Sequence, residues 1–83
     1  MRAADYEGRL EVKALLQVNS YKLRRLREEK VLTMEQIAEL AGVSYNTVYR
    51  LEHGRSGARQ RSIKALARVL GVAPQELLAN GKT

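Results

Sequence analysis

Apolar residues recur three and four positions apart through most of residues 20–78, and glycine or proline marks the breaks. The first run, Leu23 and Leu26, follows Asn19 and Ser20, either of which can cap it, and predicts a helix over roughly 20–30. The second holds Ile37, Leu40 and Ala41. Thr33 stands at its N-cap and Gln36 three residues on, the spacing of a reciprocal capping box, and Gly42 follows where a left-handed backbone ends a helix. The third opens on Ser44, turns Val48 and Leu51 inward and ends near His53, with Gly54 as its stop. The fourth, roughly 61–70, buries Ile63, Leu66, Ala67 and Leu70 and stops at Gly71. Pro74 suits the first turn of a fifth, whose Leu77 and Leu78 close the core.

Residues 9–18 follow another period. Leu10, Val12, Ala14, Leu16 and Val18 share one side in steps of two, opposite Arg9, Glu11, Lys13 and Gln17, and only Leu15 breaks the pattern. This predicts a short β-strand, with a helix as the competing reading because Tyr6, Leu10, Ala14 and Val18 are also four apart. A lone strand leaves backbone groups unpaired, so its expected partner is the same strand of a second copy; the alternative is a segment lying flat on its own domain. The organisation is thus an N-terminal extension over 1–19, a helical domain over 20–78 and a tail over 79–83.

The chemistry lies on the third helix. Tyr45, Asn46, Tyr49 and Arg50 fall together opposite Val48 and Leu51. Arginine can grip guanine O6 and N7 with two bonds, asparagine can do the same to adenine N6 and N7, and an α-helix fits the major groove of B-DNA. Two short helices joined by a tight turn, the second carrying such a face, suggest a helix-turn-helix. The plainer reading is a solvated face of a small bundle.

Charge favours the first reading. The 83 residues hold 15 Lys and Arg against 9 Asp and Glu, a net +6. Residues 1–19 are balanced, so the whole excess falls on residues 20–83, as suits a polyanionic partner. There is no cysteine, hence no disulfide framework or thiolate metal site, which fits a cytoplasmic setting. No apolar run approaches a membrane span, and M-R-A-A-D-Y-E lacks a signal-peptide core. The single histidine, His53, has no ligand or nucleophile partner at a useful spacing and reads as a surface residue beside the DNA backbone; Ser44 and Ser20 read as caps. No phosphate-binding glycine loop is present, since G-R-S-G-A-R does not match one. No catalytic residue, metal, cofactor or small-molecule substrate is expected. No ligand-binding domain is evident within these residues, so an inducing signal is expected to act by proteolysis, competition or another chain.

The run L-R-E-E-K-V-L-T-M-E-Q-I-A-E-L-A-G-V-S-Y-N-T-V-Y-R-L-E-H-G, continued by G-A-R-Q-R-S-I-K-A-L-A-R-V-L-G-V-A-P-Q-E-L-L, resembles the Cro/C1-type (XRE-like) helix-turn-helix family of bacterial and phage repressors. The resemblance covers roughly residues 20–78. It implies an all-α, five-helix, lambda-repressor-like domain that binds double-stranded DNA, usually as a homodimer, here with a short N-terminal β-strand extension. Together with the spacing, this puts Tyr45, Asn46, Tyr49 and Arg50 on bases, Asn46 and Arg50 foremost, although the tyrosine hydroxyls are alternatively phosphate contacts. It places Ser44, Thr47, Arg55, Arg59 and Arg61 on the DNA backbone. Arg27 is implied first as a structural ion-pair partner of Glu52 and second as a phosphate contact. Some positions depart from the family pattern: Val31 stands where glycine is usual, and Met34 replaces a glutamine that bonds phosphate. Gln60 stands where relatives often have proline. An antitoxin-like protein that binds DNA and also a protein partner is the rival reading.

Overall fold

A computed structural model describes residues 15–79. Four α-helices follow in order: α1 (Ser20–Glu29), α2 (Met34–Ala41), α3 (Tyr45–Glu52) and α4 (Gln60–Leu70). The predicted fifth helix is a single 3₁₀ turn, Pro74–Leu77. Leu78 is already extended, so the element ends after one turn. The core lies where all five elements meet: Leu23 from α1, Ile37 from α2, Val48 and Leu51 from α3, Ile63 and Leu66 from α4, and Leu77 from the turn are fully buried. Each such side chain contributes about 1.5–3 kcal/mol of burial, so no element can leave without opening the centre.

The helix starts are set by local chemistry. The Asn19 side chain accepts the Lys22 N–H. Thr33 and Gln36 form the reciprocal box, with bonds of 3.0 and 2.9 Å. Within α2, however, Leu40 is 62% exposed, and the buried pair is Ile37 and Ala38. The expected Ile37–Leu40–Ala41 face is therefore rotated: Ala38 takes the inner place and Ala41 the flank. Against α3 and α4 a methyl group allows closer approach than a leucine.

The helix ends share one geometry. At α2 the N–H of Gly42 returns to Glu39 and that of Val43 to Ala38, with Gly42 at φ 74°. At α1 the same two bonds run from Val31 to Glu28 and from Leu32 to Arg27, and Val31 takes φ 56°. A β-branched residue in that region is strained. Val31 is 86% exposed, so its side chain gains little in exchange. The departure from glycine thus stores strain rather than changing how the helix ends.

The expected strand over 9–18 needs correction. Residues 9–14 lie outside the described part of the chain. Over 15–18 no strand forms; Leu16 makes an isolated antiparallel bridge to Ala58 and Val18 another to Leu78. Leu16 and Ala58 exchange both backbone bonds, at 2.8 and 2.9 Å, Asn19 N–H donates to Leu77, and Ala79 N–H donates to Gln17. These groups are satisfied within one chain, not by a second copy. The alternation does place Leu16 and Val18 against the core and Leu15 and Gln17 outside. Two partners from distant parts of the chain divide the segment, so no continuous ladder can form. Gly57 permits the first bridge: a Cβ there would lie 2.7 Å from the Leu16 carbonyl oxygen.

Candidate nucleic-acid interface

The inner side of α3 is fixed at three points. Val48 and Leu51 enter the core. Ser20 Oγ on α1 donates to the Leu51 carbonyl. Glu52 receives two bonds from Arg27, Nε to Oε2 at 2.6 Å and Nη2 to Oε1 at 2.9 Å. The Arg27 Nη1 also donates to the Leu32 carbonyl at 2.7 Å, so one guanidinium ties α1, the α1–α2 turn and the end of α3 together. Both side chains are nearly enclosed, 11% and 2% exposed. The Glu52 bond raises the Arg27 pKa above its ordinary value and outweighs burial, which lowers it. Each of the three Arg27 guanidinium nitrogens thus donates one bond, and the side chain is nearly enclosed.

The start of α3 is capped by Ser44, whose Oγ accepts the Thr47 N–H at 3.0 Å and meets Thr47 Oγ1 at 2.9 Å. One shared bond uses one of two hydroxyl hydrogens, which leaves the other to donate outward. Beyond this cap, Tyr45, Asn46 and Arg50 are exposed and Tyr49 is half-buried. Arg50 Nε lies 3.5 Å from Ser56 Oγ, a weak tether to the following loop. The structure therefore brings Tyr45, Asn46, Tyr49 and Arg50 together on one short helix, with Ser44 and Thr47 at its start.

Arg55 follows directly, its N–H bonded to the Arg50 carbonyl at 2.9 Å. Arg59 is the N-cap residue of α4 and Arg61 lies in its first turn, both exposed. No side chain caps α4 and no acid sits in its first turn, so two cations stand at the positive end of a helix with open N–H groups. Met34, by contrast, packs against the core.

Sequence alone makes His53 a surface residue beside the DNA backbone. Residues 46, 50 and 53 are spaced by four and three, which puts His53 on the outer face with Asn46 and Arg50. Its ring stacks on Tyr49, centroids 3.9 Å apart and planes 17° apart. Its Nδ1 lies 2.8 Å from the Tyr49 carbonyl oxygen. A carbonyl only accepts, so Nδ1 carries the proton. The spacing was legible in the sequence, but the stack and the bond were not. Among the described residues no cluster of His, Asp and Glu could hold a metal ion, and no helix is long and apolar enough to cross a membrane.

A capped helix, a left-handed glycine turn and a second helix with a buried inner and polar outer face define a helix-turn-helix. The helix-turn-helix family model HTH_3 matches residues 23–77, and the chain belongs to that family. It is 40% identical over 57 residues to the HTH-type transcriptional repressor RghR of Bacillus subtilis, covering 68% of this chain and 42% of that protein. It is 34% identical over 64 residues to the cryptic phage CTXphi transcriptional repressor RstR of Vibrio cholerae, covering 77% of this chain and 58% of that one. Among solved structures it resembles the restriction-modification controller protein C.AhdI of Aeromonas hydrophila, with TM-score 0.67 and 34% identity over 71% of this chain and 89% of that one. It also resembles a hypothetical transcription factor, NHTF, from Neisseria, with TM-score 0.69 and 30% identity over 80% and 76% of the two chains. The chain thus spans 42% and 58% of the length of these two curated relatives.

Proposed function

We propose that this chain is a cytoplasmic, sequence-specific transcriptional regulator that binds double-stranded DNA as a homodimer and acts as a repressor. The observation that carries this reading is the division of α3. Its inner face is held by the core and by Arg27, while Asn46 and Arg50 stand exposed one turn apart on the other. Preorganisation of that kind suits a helix that must present two forked side chains to base edges. In this reading Asn46 and Arg50 read bases, flanked by Tyr45 and Tyr49. Ser44, Thr47, Arg55, Arg59 and Arg61 hold phosphates, and the open first turn of α4 supplies N–H groups for one of them. Repression is supported by the names of the Bacillus and Vibrio relatives. No catalytic step, cofactor, membrane or small-molecule substrate enters.

The test is selection of bound duplexes from a random pool. A symmetric enriched site is expected, its halves about one helical turn, roughly 34 Å, apart. No enrichment, or an unsymmetric single site, would count against sequence reading or against the dimer respectively.

A further inference from the structure

Three rings run along α3 and its C-cap at four-residue intervals: Tyr45, Tyr49 and His53. Tyr45 and Tyr49 have centroids 6.3 Å apart, tilted by 41°. Tyr49 and His53 are stacked nearly parallel at 3.9 Å. The imidazole is itself fixed by its Nδ1–H bond to the Tyr49 carbonyl. The middle ring is therefore held in place before any ligand arrives, and little rotamer freedom remains to be lost on binding. Such a row is out of character for its surroundings, since Asn46 and Arg50 beside it are polar and exposed. Tyr45 is 46% exposed, Tyr49 half-buried and His53 exposed, so ring carbon of the row reaches the helix surface.

The major groove has one apolar feature on its base edges, the C5-methyl group of thymine. Asn46 and Arg50 gain nothing from a methyl, whereas a fixed ring edge does. A phosphate bond through a tyrosine hydroxyl would use only the tip of the side chain and would need no stack beneath it. We propose that the Tyr45–Tyr49–His53 row reads thymine methyl groups, with His53 as a positioning residue that holds the Tyr49 ring. At 1.5 Å of rise per residue the row spans about 12 Å, roughly three to four base-pair steps. The effect is thus expected at more than one neighbouring position in each half-site. The inference rests on the DNA-reading function proposed above.

The experiment uses the full chain and the best duplex from selection, with each thymine replaced in turn by deoxyuridine. This removes one methyl and leaves every hydrogen-bonding group in place. At contacted positions affinity is expected to fall about 3–5-fold, the factor that corresponds to about 0.8 kcal/mol per buried carbon. Tyr49→Phe keeps the ring and should keep that penalty. Tyr49→Ala should abolish it. His53→Ala should shrink it while the base preference that depends on Arg50 persists, a pattern that simple loss of stability would not give. Deoxyuridine tolerated at every position, or Tyr49→Phe binding as poorly as Tyr49→Ala, would overturn the proposal. If the Arg50 and Asn46 preferences stand while the deoxyuridine series is flat, methyl reading alone is wrong. If no duplex is preferred at all, the DNA-reading function is wrong and methyl reading falls with it.

Discussion

Two stretches of this chain, α1 and residues 45–61, hold four Lys and Arg each and differ in space. In α1, each basic residue has an acidic partner: Lys22 with Glu76 at 3.5 Å, Arg24 with Glu28 at 3.3 Å, Arg25 with Glu29 at 3.7 Å, and Arg27 with Glu52. In residues 45–61, Arg50, Arg55, Arg59 and Arg61 form no ion pair among the described residues. Net charge therefore overstates the first stretch and understates the second. A polyanion is attracted by charge that has no local counterion, and that charge is concentrated around the end of α3 and the start of α4. Lys22, which lies in the same basic half, belongs with the neutralised group.

The largest effect should come from the enclosed Arg27–Glu52 pair. Removing Glu52 strands a buried guanidinium, so Glu52→Ala is expected to destabilise the fold by about 3 kcal/mol. A double-mutant cycle with Arg27→Ala, followed by denaturant unfolding, should show strong coupling. Additive losses would mean that the two groups are anchored separately and that α3 is not held through this bond.

Next in size is Arg50→Ala, which should leave the melting temperature nearly unchanged. It should cost about 1–3 kcal/mol of discrimination at one base pair per half-site, expected to be a guanine. Asn46→Ala should relax a neighbouring position, expected to be an adenine. Repeating the duplex selection on both variants checks this. A uniform loss with every preference intact would make Arg50 a phosphate contact.

The unpaired loop arginines should behave differently again. Arg55→Ala or Arg59→Ala should weaken all duplexes alike and reduce the salt slope of binding by about 0.9 per lost contact. Arg24→Ala, whose charge is already matched, should leave the slope alone and change stability by no more than about 0.5 kcal/mol. Equal slopes for the two variants would erase the contrast between the stretches.

A smaller effect is expected at the end of α1. Val31→Gly relieves a left-handed valine, worth about 1–2 kcal/mol, against the roughly 0.4–1 kcal/mol of extra unfolded-state freedom that glycine brings. A net gain near 1 kcal/mol should appear in the unfolding midpoint, with DNA affinity unchanged. A loss would mean that Val31 makes contacts its exposure hides.

Sequence by itself determined the four α-helices, the caps at Thr33 and Ser44, and which side of α3 turns inward. Those features depend on spacings of three and four and on side chains bonding backbone two or three residues away, so local order contains them. The capping box at Thr33, the cap at Ser44 and the left-handed Gly42 are of this kind. The tertiary structure decided what depends on meetings between distant residues. It turned Leu40 outward because Ala38 fits closer to its neighbours, and it reduced the fifth helix to one turn. It divided residues 15–18 between Ala58 and Leu78, through an approach that only Gly57 allows. It also sorted the basic residues into paired and unpaired sets. Periodicity reports which side of an element faces inward. It does not report which partner waits there, and the stack of Tyr49 on His53 required both rings to be placed before it could be seen.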